Sequence, residues 1–381
     1  MKIPQIIIFL SVVLSVYFLV NTFIYVQTRP IFSISNLGIW LKVIFWLLVL
    51  SYPIGRTLEG FASGAASSFL IKMGSIWLGA MLYLFLAFLL LLIIRFTNSL
   101  FSITDYLDFK NHLNYKQTAA IGVYAITALV LIGGHINAIS PKVSRVTINT
   151  DKNIGSSSLR IVAVSDIHLG TIIGKNQLNK LVNLINEQKP DVVLLAGDIF
   201  DEDIAPVVNG GMGVLFEQIK SKYGTYAVTG NHEYFGKFEA KIDYLKQHKV
   251  NVLRDSSVLV DNFYVIGRED RQSNYALSRT RKTIEELVDS LDKSKLMILL
   301  DHQPYNLNEA KESGIDLQLS GHTHHGQMWP FNYATQGIFE VSRGYHIKGN
   351  THYYVSTGFG TWGPRVRIGN RPEIVVIEVK Q

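Results

Sequence analysis

The chain has 381 residues, enough for two units of ordinary domain size. Hydrophobic residues make up 48% of it, and the formal net charge of +6 is too dispersed to indicate nucleic-acid binding. There are no cysteines, which excludes disulfide scaffolds, thiolate zinc sites and cysteine nucleophiles.

The apolar residues are concentrated before residue 140, in four stretches separated by polar or small-residue segments. A membrane-crossing helix needs roughly 20 such residues. The sequence therefore predicts an all-α transmembrane bundle over 1–140, with spans at about 6–26, 37–52, 75–94 and 119–139. The second stretch is the shortest and contains Lys42, whose ammonium group must reach the membrane surface, so three spans are the main alternative.

A secretory signal peptide is the rival interpretation of the first stretch, but Thr28, Arg29 and Pro30 stand where a small-residue cleavage site would be. Lys and Arg are shared almost evenly between the two sets of connecting segments, so they select no orientation in the membrane. Residues 60–74, rich in Gly, Ala and Ser, and the polar residues 98–117 are predicted to be loops.

The composition changes after Pro141. Residues 141–158 are predicted to be a polar connector, and 159–381 a soluble domain. In that domain apolar runs of strand length alternate with helical patterns, which predicts a central, largely parallel sheet wrapped by helices. The predicted strands are 160–165, 191–196, 225–228, 296–300 and 317–320, with extended chain from 352 onward; the predicted helices are 176–188, 207–220, 238–248 and 283–291.

Polar side chains follow five of these strands at their carboxyl ends, the edge where functional groups gather in α/β sheets. The five segments are SDIH (165–168), GDIFD (197–201), GNHE (230–233), DHQP (301–304) and GHTHHGQ (321–327). Side chains two apart in an extended segment point the same way. Asp166 with His168, and His322 with His324, are therefore each expected to face one metal ion.

The residue types suit a pair of metals. A carboxylate such as Asp198 can bridge two ions with its two oxygens, and Asn231 supplies a neutral carbonyl oxygen. Nitrogen and oxygen ligands without thiolates suit Mn, Fe, Zn or similar ions. Two ions about 3.5–4 Å apart hold a phosphoryl group and activate a bridging hydroxide for in-line attack.

This ordered set resembles the calcineurin-like metallophosphoesterase family, in particular its membrane-associated bacterial branch. The resemblance rests on the DxH, GD, GNHE, single-His and GHTH motifs and covers about residues 158–380. It implies a four-layer αββα sandwich, a catalytic metallophosphoesterase domain over 159–381, and two divalent metal ions as cofactors. By the resemblance, Asp166, His168 and His324 bind the first metal, Asn231, His302 and His322 bind the second, and Asp198 bridges them. The resemblance also implies that His232 donates a proton to the leaving oxygen or stabilises the transition state.

Three further features have two interpretations each. His325 replaces a glycine common in the branch, and alternation places it away from His324, in a supporting or surface position. Arg268 is either a contact for substrate phosphate or a solvated loop charge. The aromatic residues after the GHTH motif are either packed in the core, the favoured interpretation, or a wall for a lipid-like substrate: Trp329, Phe331, Tyr345, Tyr353, Phe359 and Trp362.

The sequence thus predicts a membrane-anchored phosphoesterase, multi-pass in the cell membrane, that hydrolyses a phosphomonoester or phosphodiester of a lipid or envelope metabolite. Its partners are a phosphorylated small-molecule or lipid substrate and the membrane, without nucleic acid. One alternative is a pyrophosphohydrolase acting on a nucleotide-linked lipid precursor. Another is a membrane sensor or transporter with a regulatory metal domain, which the scarcity of charge in the spans disfavours.

Overall fold

The structure is a computed structural model that describes residues 3–33, 37–101, 103 and 113–381. The chain divides into two compact units, one of Met1–His135 with Gly363–Arg365 and the other of Ile136–Trp362 with Val366–Gln381. Each unit has its own hydrophobic core, and the two units differ in how many large apolar side chains they expose.

The first unit is helical in its described residues. Its helices are α1 (Ile3–Phe32), α2 (Gly38–Phe61), α3 (Ala65–Phe101) and α4 (Leu113–Ala138). All four are long and apolar enough to cross a membrane. The prediction of four apolar helices is confirmed, and the second, expected to be the shortest, is 24 residues long.

The loop predicted at 60–74 is wrong for most of its length, because α2 continues to Phe61 and α3 begins at Ala65. One of its small residues, Gly74, serves close helix packing instead. A Cβ on Gly74 would lie 2.4 Å from the backbone nitrogen of Tyr52 on α2, so only glycine fits there. Small residues allow such approach between membrane helices, where packing provides the attraction. Of the loop predicted at 98–117, residues 102 and 104–112 lie outside the described residues, and its ends belong instead to α3, which runs to Phe101, and to α4, which begins at Leu113.

A buried polar contact joins α1 to α3. Trp77 donates from Nε1 to Oδ1 of Asn21 at 2.9 Å, and both residues are buried. The ring of Phe45 on α2 packs edge-on against Trp77, with centroids 5.0 Å apart. The one strongly polar residue of the first predicted span is therefore satisfied inside the bundle.

The second unit contains twelve strands and seven helices in the part of the chain described. The strands are β1 (Lys142–Asn149), β2 (Ser158–Val164), β3 (Val192–Ala196), β4 (Thr225–Val228), β5 (Val250–Val252), β6 (Ser256–Val260), β7 (Phe263–Gly267), β8 (Leu296–Leu300), β9 (Leu317–Ser320), β10 (Gly344–Lys348), β11 (Thr351–Val355) and β12 (Glu373–Lys380). The helices are α5 (Lys175–Glu187), α6 (Ala205–Asn209), α7 (Phe238–Gln247), α8 (Ser273–Ala276), α9 (Ile284–Val288), α10 (Leu307–Glu312) and α11 (Phe331–Ile338).

These strands form two six-stranded sheets and not the single central sheet that the apolar runs predicted. The orders are β1-β12-β2-β3-β4-β5 and β10-β11-β9-β8-β7-β6. The strands that precede the motifs are parallel to their neighbours, β2 to β3 to β4 and β8 to β9. Antiparallel pairs such as β12 with β2 make both sheets mixed. The sequence pattern missed β1, β5, β6, β7 and β10, of which all but β1 have five residues or fewer.

Alternation along the central strands builds the layers. Ile161 of β2 packs into a core that also contains Ile298 of β8, so this core lies between the two sheets. The neighbouring Val162 packs into a second core with Leu181 of α5. On the other sheet Met297 packs with α9 and α10. The order helix, sheet, sheet, helix confirms the four-layer αββα sandwich.

Two local predictions fail. The segment 141–158, predicted to be a connector, contains β1, whose eight residues pair in parallel with β12. Its polar residues face outward while Ile148 is buried. The helix predicted at 207–220 is instead α6 followed by a 3-10 helix, Gly213–Gln218, because Gly211 adopts a φ of +55° between them.

Candidate metal centre

The predicted ligands come together from both sheets. Asp166 and His168 follow β2, Asp198 follows β3, and Asn231 begins a 3-10 helix after β4. From the other sheet, His302 follows β8, and His322 and His324 follow β9. Because β2, β3 and β4 run parallel to one another, as do β8 and β9, these side chains lie at the carboxyl edges of the sheets.

The first group consists of Asp166, His168 and His324, all buried, with one donor atom from each inside a 4.8 Å cluster. The Nε2 atoms of His168 and His324 lie 3.0 Å apart. Oδ1 of Asp166 is 3.4 Å from Nε2 of His324. Three donors therefore point at one small volume.

The second group consists of Asp198, His302 and His322. Nε2 of His302 is 3.1 Å from Oδ2 of Asp198. Asn231 joins this group, because its Oδ1 lies 2.8 Å from Nδ1 of His322. The four residues are those that the motifs assigned to the second metal and to the bridge.

Asp198 lies between the two groups. Its Oδ2 is 3.1 Å from Nε2 of His302 and 4.0 Å from Nε2 of His168. Its Oδ1 accepts a hydrogen bond from the backbone N–H of His232 at 2.8 Å. One oxygen therefore faces both groups, whereas the sequence analysis expected each oxygen to serve one metal.

The backbone at the ligands is left-handed and not extended. The φ angles are +51° at Asp166, +53° at His168, +51° at Asp198, +70° at His322 and +45° at His324. Side-chain alternation does not apply to such a chain, so the expectation that His322 and His324 share one metal is wrong. Non-glycine residues in this region are strained and concentrate at functional sites.

Two glycines let backbone approach the carboxylates. A Cβ on Gly321 would lie 2.2 Å from Oδ2 of Asp166, and a Cβ on Gly230 would lie 2.2 Å from Oδ1 of Asp198. The N–H of His322 then donates to Oδ1 of Asp166 at 2.9 Å. Each glycine thus holds a carboxylate against the neighbouring motif.

Burial sets the protonation of the imidazoles. It lowers the pKa of His168 to about 3 and that of His322 to about 4, so both rings are neutral near pH 7 and offer lone pairs. His302 differs: burial alone would lower its pKa, but the Asp198 carboxylate raises it well above the usual value. Burial, with Asp198 nearby, raises the pKa of Asp166 to about 6.

This donor set fits divalent cations. Two neutral imidazoles whose Nε2 atoms are 3.0 Å apart, with carboxylates alongside, are arranged as ligands around a common centre. The other ligands are a carboxamide oxygen and further imidazoles, which suits borderline ions such as Mn, Fe or Zn. Buried carboxylates and imidazoles at this density need a cation to offset their desolvation.

His232 lies beside the two groups. Its Nδ1 is 3.6 Å from Oδ1 of Asp201, and its ring stacks edge-on against that of His168, with centroids 4.6 Å apart. It lines the same cavity of about 460 Å³ as His168, Asp198 and His322. His232 is therefore within reach of a group bound over the metal ligands.

Three buried charged residues that the sequence analysis did not assign support the ligand loops. Glu233 accepts hydrogen bonds from the backbone N–H groups of Asp198 and Phe200, each at 3.0 Å. Lys241 donates to the carbonyl of His232 at 2.8 Å. Glu233 is the last residue of the GNHE motif, so the sequence offered a signal for it. No local sequence pattern distinguished Lys241 as a buried supporting residue.

Arg367 is the third of these residues and is fully buried. Its Nη2 lies 3.2 Å from Nδ1 of His324 and donates to the carbonyl of Gly360 at 2.5 Å. Its Nη1 donates to the carbonyl of Thr357 at 2.7 Å. The guanidinium thus ties the C-terminal stretch to a ligand from a distant motif, a link that depends on the tertiary fold alone.

The structure tests the interpretations of Arg268 and of His325. Arg268 is buried and pairs with Asp301 at 3.2 Å and Glu309 at 2.8 Å, so it is neither a substrate contact nor a solvated charge. His325 is buried, with Nδ1 2.8 Å from Oγ of Ser342, which makes it a supporting residue.

The aromatic residues divide into two sets. Tyr353 and Phe359 are fully buried in the core, as favoured. Trp329, Phe331, Tyr345 and Trp362 are exposed. Phe331 and Trp362 line the cavity over the ligands. Core packing therefore explains the buried aromatic residues, whereas the exposed ones include two that lie at the candidate metal centre.

The chain is similar in sequence to known proteins of one family. A sequence model of the calcineurin-like phosphoesterases matches residues 159–326. A metallophosphoesterase from Aquifex aeolicus is 31% identical over 256 residues, covering 66% of this chain and 97% of its own length. A transmembrane protein with metallophosphoesterase domain from Danio rerio is 31% identical over 282 residues, covering 70% of this chain and 64% of its own. The Haemophilus influenzae NAD nucleotidase structure is 17% identical with a TM-score of 0.36, over 53% of this chain and 46% of that one.

Fold and site define a dimetal hydrolase of phosphoric esters. The chain belongs to the calcineurin-like metallophosphoesterase family. Its four apolar helices and the transmembrane relative indicate a membrane protein. The reaction class and the dimetal cofactor follow from the family and from the His and Asp clusters.

Proposed function

We propose that this protein is a multi-pass enzyme of the cell membrane that hydrolyses a phosphomonoester or phosphodiester of a lipid or envelope metabolite. The observation that carries the proposal is the convergence of the ligand groups, in which Asp198 lies between two clusters of His and Asp donors. The membrane location is supported by the four apolar helices, and only residues 139–141 separate α4 from β1.

In this proposal the candidate ligands have the roles that the sequence motifs suggest. Asp166, His168 and His324 would hold one ion, Asn231, His302 and His322 would hold the other, and Asp198, between the two groups, would contribute to both. Two divalent ions bound here supply Lewis acidity to the phosphoryl oxygens and activate water for in-line attack. The chain contributes the spacing of the ligands and neutral imidazoles ready to coordinate.

His232 is the proton donor to the leaving oxygen in this proposal. It lines the cavity beside the ligands, and Asp201 lies 3.6 Å from its Nδ1, which leaves Nε2 for the substrate. The carbonyl of His232 accepts from Lys241, which holds the backbone of this segment in place. Proton transfer from a positioned histidine contributes about 10²–10⁴-fold to rate.

Asp198→Asn in the full chain, reconstituted in lipid nanodiscs, tests the proposal. The amide keeps the shape of the side chain but loses the charge between the two groups, so hydrolysis of 4-nitrophenyl phosphate and bis(4-nitrophenyl) phosphate should fall by about 10³-fold or more. Asp243→Asn, at an exposed position of α7, is the matched control and should retain activity. Full activity in Asp198→Asn, or after removal of metal by a chelator, contradicts the proposal.

A further inference from the structure

An exposed apolar surface borders the candidate metal centre. It comprises Trp329, Phe331, Tyr333, Ile338 and Trp362, here called the apolar lip. Tyr333 is 64% exposed, Ile338 61% and Trp362 57%. Contiguous exposed apolar side chains at a cavity mouth mark a binding surface more often than chance placement does.

The lip is attached directly to the ligand loop. Helix α11, which carries Phe331, Tyr333 and Ile338, has no buried residue. A Cβ on Gly326 would lie 2.3 Å from the backbone nitrogen of Asn332, so this helix packs against the turn that holds His324. The position of the lip is therefore set by the same turn as the metal ligand.

The other side of the lip is clamped to the same loop. The Gln327 side chain donates from Nε2 to the carbonyl of Trp362 and accepts at Oε1 from its N–H, both at 2.9 Å. The Trp362 ring meets the His232 ring edge-on, with centroids 6.3 Å apart. The apolar wall thus begins at the residue proposed to protonate the leaving oxygen.

The residues that line the cavity indicate which kind of chemical group binds beside the apolar lip. Phe331 and Trp362 line it together with the metal ligands, and none of its described lining residues is Lys or Arg. A second phosphate or a carboxylate on the substrate would ordinarily be met by a guanidinium or ammonium group. Here the remainder of the substrate meets aromatic surface instead.

We propose that the apolar lip binds a hydrocarbon chain on the leaving-group side of a substrate that carries one phosphoester at the metal centre. The inference rests on the proposed function and specifies its substrate class as a lipid phosphoester. In the reaction the oxygen of water bonds to phosphorus and the water gives up one proton to solvent. The bond from phosphorus to the alkyl oxygen breaks, and that oxygen takes its proton from His232, which solvent then reprotonates. The products are an alcohol and, from a monoester, inorganic phosphate or, from a diester, a phosphomonoester.

A chain-length series tests this proposal with the full chain in lipid nanodiscs. The substrates are n-alkyl phosphates and methyl n-alkyl phosphates with alkyl groups of one, four and eight carbons, and the released alcohol is measured. Burial of methylenes against the lip should raise kcat/KM by about tenfold for each two carbons that it contacts. The readout is the ratio of kcat/KM for octyl to methyl substrate.

The lip variants are Phe331→Ala and Trp362→Ala, and the matched control is Leu259→Ala, an exposed apolar residue of β6 at the far edge of the second sheet from β10. The octyl-to-methyl ratio should fall at least tenfold in the lip variants and stay unchanged in Leu259→Ala. A ratio near one in the unaltered protein, or a ratio that survives both lip variants, overturns the proposal. If no phosphoester is hydrolysed at any chain length, including 4-nitrophenyl phosphate, the proposed function itself fails.

Discussion

The two units of this chain place their side chains by opposite rules. In the helical unit, large apolar residues face outward, among them Leu129, which is 69% exposed, while the polar Asn21 is buried. In the α/β unit the sheets bury their apolar residues, and a group of carboxylates and imidazoles lies in the interior beside them. The exposed apolar residues indicate what surrounds the helical unit. The buried carboxylates and imidazoles indicate what the α/β unit binds.

Outward leucines are stable only where the solvent is itself apolar, and each would cost about 25 cal/mol per Å² in water. Buried Asp and His are stable only where a cation or hydrogen bonds offset their desolvation. The buried Asn21 of the helical unit is thus a structural contact, whereas the buried Asp and His cluster of the α/β unit is the candidate metal centre. Four experiments test this contrast, from the largest expected effect to the smallest.

Gly321→Ala should have the largest effect. The new Cβ would meet Oδ2 of Asp166 at 2.2 Å, so the carboxylate must move out of the first ligand group. Displacement of a reacting group by about 1 Å costs on the order of 10²-fold in rate, and we expect that loss in kcat/KM. Gly174→Ala, at a glycine that also lacks a positive φ and whose Cβ would meet only the end of the Met212 side chain at 4.0 Å, controls for the added methyl group without crowding. Equal activity in the two variants would argue against a preorganised site.

Truncation should reveal that the α/β unit includes β1. A chain that starts at residue 159 loses the strand that pairs over eight residues with β12, together with the buried Ile148. Its free energy of unfolding should be roughly 3 kcal/mol below that of a chain that starts at residue 141, since a core side chain and an edge of the sheet are lost. Urea denaturation of the two chains measures the difference. Equal stability would restore the prediction that 141–158 is only a connector.

Metal affinity should rise with pH. In the metal-free site the raised pKa values, about 6 for Asp166 and well above 6.5 for His302, mean that both ligands hold protons below those values. A bound proton blocks a ligand, so metal must displace it, and affinity falls as pH falls through each pKa. His168 and His322 are already neutral above about pH 4 and add no competition there.

Calorimetric titration with Mn²⁺ between pH 5 and 8 gives the slope, which should approach about tenfold per pH unit for each proton displaced. Asp166→Asn removes one of these protons and should flatten the slope near pH 6, although it also weakens binding. An affinity independent of pH would mean that metal binds elsewhere.

Asn21→Leu in the helical unit should have the smallest effect. It removes the acceptor of the Trp77 indole N–H, a contact between membrane helices worth about 0.6 kcal/mol on average. We expect a change of about 1 kcal/mol or less in unfolding free energy and no change in kcat/KM in nanodiscs. A large loss of activity would show that this polar residue is functional and would break the contrast between the units.

The sequence alone determined the elements whose signals are local. Hydropathy predicted four apolar helices, because the membrane acts on each segment separately. Apolar runs predicted β4, β8 and β9 at their observed bounds, since buried parallel strands are apolar on both faces. The motifs at the strand ends identified the residues that converge, because one sheet edge collects them whatever the loops do.

Only the tertiary structure decided the rest. The second sheet, the edge strands and β1 depend on pairing between residues far apart in the chain, which leaves no periodic signal of its own. Asp198 lies between the two groups, and His322 and His324 lie in different groups, at positions of left-handed backbone that local alternation does not foresee. Arg367 reaches His324 across 43 residues, and the apolar lip differs from the buried aromatics beside it only in exposure. These features depend on which distant segments meet, and that is decided by packing.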